Sequence, residues 1–131
     1  MKLTERQAEF LQNPFVGTIT DLRPDGSPHT TVVWVDADDD GVSFNTAYGR
    51  AKPRYIALDP RVSLTVVDPE NAYRCLSVSG RATLVDEGAD EQIDRLAKKY
   101  LGKDSYPFRA PDERRVTVRI TPTRIEGRDL D

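Results

Sequence analysis

At 131 residues the chain is sized for one domain with a core of its own and is too short for two. Its 19 basic and 22 acidic residues leave a net charge of −3, which argues against a dedicated nucleic-acid or membrane-surface protein. One cysteine, Cys75, and one histidine, His29, exclude an internal disulfide and a Cys- or His-rich metal site. No apolar run approaches the roughly 20 residues of a membrane span, and the opening Met1-Lys2-Leu3-Thr4-Glu5-Arg6 is unlike a signal peptide, so a soluble, cytoplasmic protein is expected.

In chain order, Thr4-Glu5-Arg6-Gln7 has capping-box spacing and predicts a helix through about Leu11, stopped by Asn13-Pro14. Phe15 to Leu22 alternates as a strand and runs into Pro24-Asp25-Gly26-Ser27, a tight hairpin signal. A second strand follows from Pro28 to Ala37, dense in β-branched residues around Thr30-Thr31-Val32-Val33-Trp34-Val35. Asp38-Asp39-Asp40-Gly41 turns the chain into a third strand, Val42 to Thr46. Arg50 to Leu58 reads as a helix with Tyr55, Ile56 and Leu58 on its apolar side, Pro53 being tolerable only in the first turn.

Val62 to Val67 predicts a buried strand, turned back at Asp68-Pro69-Glu70-Asn71 into a long strand from Tyr73 to Val85. Leu76, Val78, Gly80, Ala82 and Leu84 share one face of it, and Gly80 marks a bulge or bend. Ala89 to Leu101 carries the strongest helical pattern, with Ile93, Leu96, Ala97, Tyr100 and Leu101 as its apolar stripe and Gly102 as C-cap. A loop holding Tyr106 and Phe108 then leads into a closing strand, Arg115 to Ile125, and the last few residues are expected to be disordered. Together these elements predict a mainly β protein, a six-stranded antiparallel barrel with a few helices, forming one domain over residues 1–131 with its core at about 10–127. So narrow a barrel encloses no large ligand, and a cofactor would lie outside it or between subunits.

Candidate chemistry concentrates in Phe44-Asn45-Thr46-Ala47-Tyr48-Gly49-Arg50-Ala51-Lys52-Pro53-Arg54, where a strand end, a short loop and a helix start meet. Three cations, Arg50, Lys52 and Arg54, follow Gly49, with Asn45 and Thr46 at the strand end. A helix start already offers unpaired N–H groups and a positive dipole end, so cations there are misplaced unless they face an anion, such as a phosphate. Taken alone, the cluster also reads as a solvated basic turn. No nucleophile elbow, phosphate-binding Walker loop or metal-ligand spacing is present. His29 reads as a solvated turn residue, Cys75 as a small buried hydrophobe, Tyr106 and Phe108 as loop packing, and Arg61 as a partner for a nearby carboxylate.

The order of a short helix, a Gly-Thr-Ile-Thr strand, a Pro-Asp-Gly-Ser-Pro hairpin, Val-Val-Trp-Val and Phe-Asn-Thr-x-x-Gly-Arg-x-Lys resembles the pyridoxamine 5′-phosphate oxidase-like split β-barrel superfamily. Asp59-Pro60-Arg61-Val62-Ser63-Leu64 and Val78-Ser79-Gly80-Arg81-Ala82 fit the same pattern. Within it, Gly-Arg-x-Lys-x-Arg is similar to the group that binds coenzyme F420, an 8-hydroxy-5-deazaflavin. The resemblance implies a homodimer with cofactor sites across the interface and hydride transfer from F420H2 to a small electron-poor acceptor. It also implies that Arg50 and Lys52 hold the cofactor phosphate within a turn that includes Gly49 and Arg54, with Asn45 and Thr46 bonding nearby. Thr31, Val33 and Trp34 would lie along the ring or its side chain, and Tyr73 would approach from the partner subunit. Two departures stand out: Pro53 and Tyr55 follow the lysine in place of the usual residues, and the Arg-Leu-x-Pro ending of true pyridoxamine phosphate oxidases is missing. An FMN-dependent oxidoreductase of the same barrel and a non-catalytic flavin, haem or tetrapyrrole binder remain as alternatives. The charge balance disfavours an oligonucleotide-binding barrel.

Overall fold

The computed structural model describes residues 1–39 and 41–130. Helix α1 (Glu5–Phe10) starts at the expected capping box: the Thr4 hydroxyl accepts from the Gln7 N–H, and the Gln7 side chain accepts from the Thr4 N–H. Strands β1 (Gly17–Leu22) and β2 (Pro28–Val33) form a hairpin whose turn holds Gly26 at φ +86°. After them come β3 (Val35–Asp38), β4 (Gly41–Ala47), α2 (Ala51–Leu58), β5 (Arg61–Asp68), β6 (Asn71–Val85), α3 (Ala89–Leu101) and β7 (Arg115–Arg128). The acidic turn expected before Gly41 includes Asp40, which lies outside the described residues.

Seven antiparallel strands form one sheet in the order β2-β1-β5-β6-β7-β4-β3, curled around a core that includes Phe10, Ile19, Phe44, Leu64, Leu76 and Ile120. Its two edge strands, β2 and β3, are neighbours in sequence. The barrel is therefore joined at its seam by the covalent chain rather than by a ladder of hydrogen bonds, which makes it a split barrel. This corrects the strand expected from Pro28 to Ala37: it is two strands, broken at Trp34, and the count rises from six to seven. Propensity alone runs through the break; the change of pairing partner from β1 to β4 imposes it.

Helix α3 supplies the partners that the seam lacks. The Tyr100 hydroxyl accepts from the Val35 N–H at 2.9 Å and donates to the Phe15 carbonyl at 2.7 Å. The Lys99 ammonium donates to the carbonyls of Leu11 at 2.6 Å and Val35 at 2.7 Å. Buried backbone groups need such partners, so a cation stands where an apolar helix face would otherwise pack. Burial lowers the Lys99 ammonium to about 8, against a smaller opposing pull from Asp36. The unfolded chain therefore holds the Lys99 proton up to a higher pH than the folded chain does, and between about pH 8 and 10.5 this group's contribution to stability rises with pH. A neutral amine still carries two hydrogens for the two carbonyls. In Lys99→Met both carbonyls lose their donor, at about 1–3 kcal/mol each. Denaturant midpoints are expected to show the variant less stable at pH 7, with the gap to the unsubstituted protein widening toward pH 10.

The chain end also departs from expectation. β7 runs on to Arg128 and Leu130 is fully buried, so the terminal residues up to 130 are packed rather than disordered. Leu58 and Leu101, expected on apolar faces, are 68% and 41% exposed at the last positions of their helices. Among the described residues no helix is long and apolar enough to cross a membrane.

Candidate functional site

Gly49, at φ +92°, turns the chain from β4 into α2. Arg50 is the N-cap of the helix and makes no side-chain cap hydrogen bond, and the first turn holds no acidic residue. Pro53 falls at the third helical position, where an N–H would have no intrahelical partner in any case. Beside this start lies a cleft of about 250 Å³. It gathers six of the ten residues expected at a cofactor site: Val33, Trp34, Asn45, Thr46, Arg50 and Lys52. Its other wall is made by Ile93 and Leu96 of α3, Tyr106 and Phe108 of the following loop, and Arg115 at the start of β7.

Lys52 is half-buried and donates from Nζ to the Thr31 hydroxyl at 3.2 Å. Thr31 thus stands behind the lysine and does not itself line the cleft. Burial pushes the Lys52 ammonium below its ordinary range, Arg50 adds to that, and Asp21 opposes it. Arg50 reaches Glu113 Oε1 at 3.4 Å with its guanidinium half exposed. Arg115 is buried: it donates to Glu113 Oε1 at 2.7 Å and to Asn45 Oδ1 at 3.4 Å, with its guanidinium 4.6 Å from the Tyr106 ring centre. Among the described residues, two groups of this cleft are buried without a hydrogen-bond partner, the Thr46 hydroxyl and the Arg115 Nε–H. Each such orphan costs about 1–3 kcal/mol, and a ligand carrying acceptor oxygens would relieve both.

The other expected residues fall elsewhere. Arg54 sits in a separate groove with Gly49, on the far side of α2, its guanidinium 5.3 Å from the Tyr55 ring centre. At about 100° per residue, Arg50 and Arg54 share one side of the helix start and Lys52 points to the other. Arg50 borders both hollows. Tyr73 stands 71% exposed near the β5–β6 turn and lines no part of its own chain's cleft. Asn45 lines the cleft, but its amide group already donates to the Ala89 carbonyl at 2.8 Å and to Gln92 Oε1 at 3.0 Å, so it ties β4 to α3. Trp34 stacks on Tyr100 at 5.4 Å with 6° between planes, and Tyr106 meets it edge-on at 6.0 Å. One face of the indole is therefore already covered. Tyr106 and Phe108 do pack together, as expected, but as a wall of the cleft.

Arg115 and Glu113 were missed by sequence reasoning because Asp112-Glu113-Arg114-Arg115 looks like solvated charge. The β4–β7 register, Thr46↔Val116 and Ala47↔Arg115, is what carries them to the cationic turn. His29 is no solvated turn residue: its Nδ1 lies 2.7 Å from a carboxylate oxygen of Asp21, which is fully buried.

The chain is similar to a solved F420 reductase, with 28% identity over 95% of this chain and 98% of that one and a TM-score of 0.80. It is similar also to a conserved hypothetical protein from Mycobacterium tuberculosis, with 27% identity over 98% of this chain and 86% of that one and a TM-score of 0.76. HutZ, a haem storage protein from Vibrio cholerae, shares the fold at 14% identity, with 99% and 97% coverage and a TM-score of 0.69. No curated protein matches. The family model described as pyridoxamine 5′-phosphate oxidase matches residues 3–129, nearly the whole curled sheet and its helices, and the chain belongs to that family.

Proposed function

We propose that the chain is an F420H2-dependent reductase that holds its cofactor's phosphate with Lys52 and Arg50. The observation that carries this reading is the convergence, in one cleft, of two cations at an uncapped helix start with two orphaned buried donors, Thr46 Oγ1 and Arg115 Nε. That donor set fits an anionic, oxygen-rich group. The likeness to an F420 reductase at 28% identity supports the deazaflavin over FMN.

When bound, the reduced deazaflavin supplies a hydride to an electron-poor acceptor such as an enone, quinone or tetrapyrrole. The chain's own residues bind and orient. Lys52 and Arg50 neutralise the phosphate, while Thr46 and Arg115 donate to ligand oxygens. Val33, Ile93 and Leu96 exclude water from the cleft floor, and the Trp34–Tyr106–Phe108 wall offers flat apolar surface to a planar ring. A cleft of about 250 Å³ is smaller than the ~300–1,000 Å³ common for ligand sites, so part of a tricyclic cofactor must be covered from elsewhere. A second copy of the chain in a homodimer would do so; Val32 and Phe108 at the cleft are 65% and 69% exposed, in keeping with such a contact.

A side-by-side fluorescence titration of the apo-protein with F420 and with FMN tests the reading. Micromolar or tighter binding of F420, with much weaker FMN binding, is expected. Preference for FMN would replace the deazaflavin by a flavin, and binding of neither would overturn the cofactor site.

A further inference from the structure

Asp21 on β1 pairs across from His29 on β2, and its side chain is fully buried. One carboxylate oxygen is 2.7 Å from His29 Nδ1, while the other, Oδ2, is buried with no hydrogen-bond partner among the described residues. A buried carboxylate so placed requires compensating positive charge. Two residues further along β2, on the same face, Thr31 holds the Lys52 ammonium. Alternate strand positions are about 7 Å apart, close enough for charges shielded from water to act on one another. We infer that Asp21 is a positioning residue for the cleft: its buried carboxylate, anchored by His29, draws the Lys52 ammonium to its seat on Thr31, where a ligand phosphate is received. This rests on Lys52 being the phosphate ligand.

The groups acting on Lys52 come from three elements. Arg50, at the start of α2, favours loss of the lysine proton, as does burial itself. Asp21 of β1 opposes both. His29 of β2 shares the Asp21 charge, and the Tyr55 ring of α2 packs edge-on to the imidazole at 5.4 Å. Across the cleft Glu113 is engaged by Arg50 and Arg115. Asp21 is thus a carboxylate whose charge favours the Lys52 ammonium.

The consequence is a crossing of binding curves that misfolding would not produce. In Asp21→Asn, loss of a nearby negative charge leaves F420 binding at pH 6.5 equal or tighter. As pH rises, Lys52 in the variant loses its proton earlier and must regain it on binding, so affinity falls by up to about tenfold per pH unit. The unsubstituted protein should hold its affinity to higher pH, and the ligand's own ionisation is common to both. F420 titrations from pH 6.5 to 9.5 read this directly, with Asp21→Ser as a second variant should the buried amide perturb folding. Parallel curves for the unsubstituted protein and a folded Asp21 variant overturn the assignment. Lys52→Met separates the two readings. If Lys52→Met binds F420 normally, the phosphate site itself is wrong; if it binds weakly while the Asp21 curves run parallel, only the role of Asp21 falls.

Discussion

Removing both Arg50 and Lys52 side chains by alanine substitution is expected to weaken F420 binding by about 10²- to 10⁴-fold while leaving the fold intact. Charge-assisted hydrogen bonds contribute about 1.5–3 kcal/mol each, and about 1.4 kcal/mol corresponds to one decade of affinity. The two residues should not contribute equally. Lys52 is half-buried and held by Thr31, whereas the Arg50 guanidinium is half exposed, shares Glu113 with Arg115 and is screened by solvent. Lys52→Ala alone is therefore expected to cost more than Arg50→Ala alone. Neither substitution empties the core, since both side chains lie at the cleft and not among the buried apolar cluster. Fluorescence titration gives the affinities and a thermal melt checks the fold. Unchanged affinity in a folded double variant would remove the phosphate from this end of the cleft.

Gly80→Ala should be the most damaging single substitution of a small residue, at about 3 kcal/mol or more. A Cβ built at Gly80 would lie 2.0 Å from the Thr121 carbonyl oxygen and 2.9 Å from Pro122 Cα, and both are backbone atoms. No side chain can swing away. The β6–β7 register shifts between Ser79 and Gly80, where the β7 backbone lies close against Gly80. Making room would mean displacing β7, the strand that carries Val118 and Ile120 into the core and Arg115 to the cleft. Gly26→Ala is the informative contrast: open space surrounds that position, and its cost is confined to the positive φ of a surface turn. Denaturant unfolding of the two variants compares them. A Gly80→Ala protein as stable as Gly26→Ala would show that β6 and β7 do not approach this closely.

Much of this molecule is local in origin. The Thr4 capping box, the hairpin turn at Gly26, the Gly80 bulge and the α3 span Ala89–Leu101 with its Gly102 cap all appear where short-range signals place them. These signals work because each is a contact between neighbours in sequence: a hydroxyl three residues from an N–H, a glycine where φ must be positive, an apolar stripe at the helical period. The gathering of cations at Arg50 and Lys52 is local in the same sense, since three residues of chain, Tyr48 to Arg50, bring a strand end to a helix start.

What local signals leave open is how strands choose partners. Thr30 to Val35 is a single β-branched run in sequence, and only the transfer of pairing from β1 to β4 breaks it at Trp34 and leaves a seam for Lys99 and Tyr100 to fill. Leu130 is packed because β7 runs on beside β6 as far as Arg128.

The element types, the position of the cationic turn and the resemblance to a family are legible from the chain alone, because they depend on spacing along it. Packing across the fold is what spends Asn45 on α3 and brings Arg115, Tyr106 and Phe108 to complete the cleft. It likewise placed a buried Asp21 against His29, two strand positions from the threonine that seats Lys52. These facts belong to cross-strand register and to the packing of α3 over the seam. Asn45 and Ala89, like Lys52 and Thr31, lie tens of positions apart, and nothing in their immediate neighbours records the meeting.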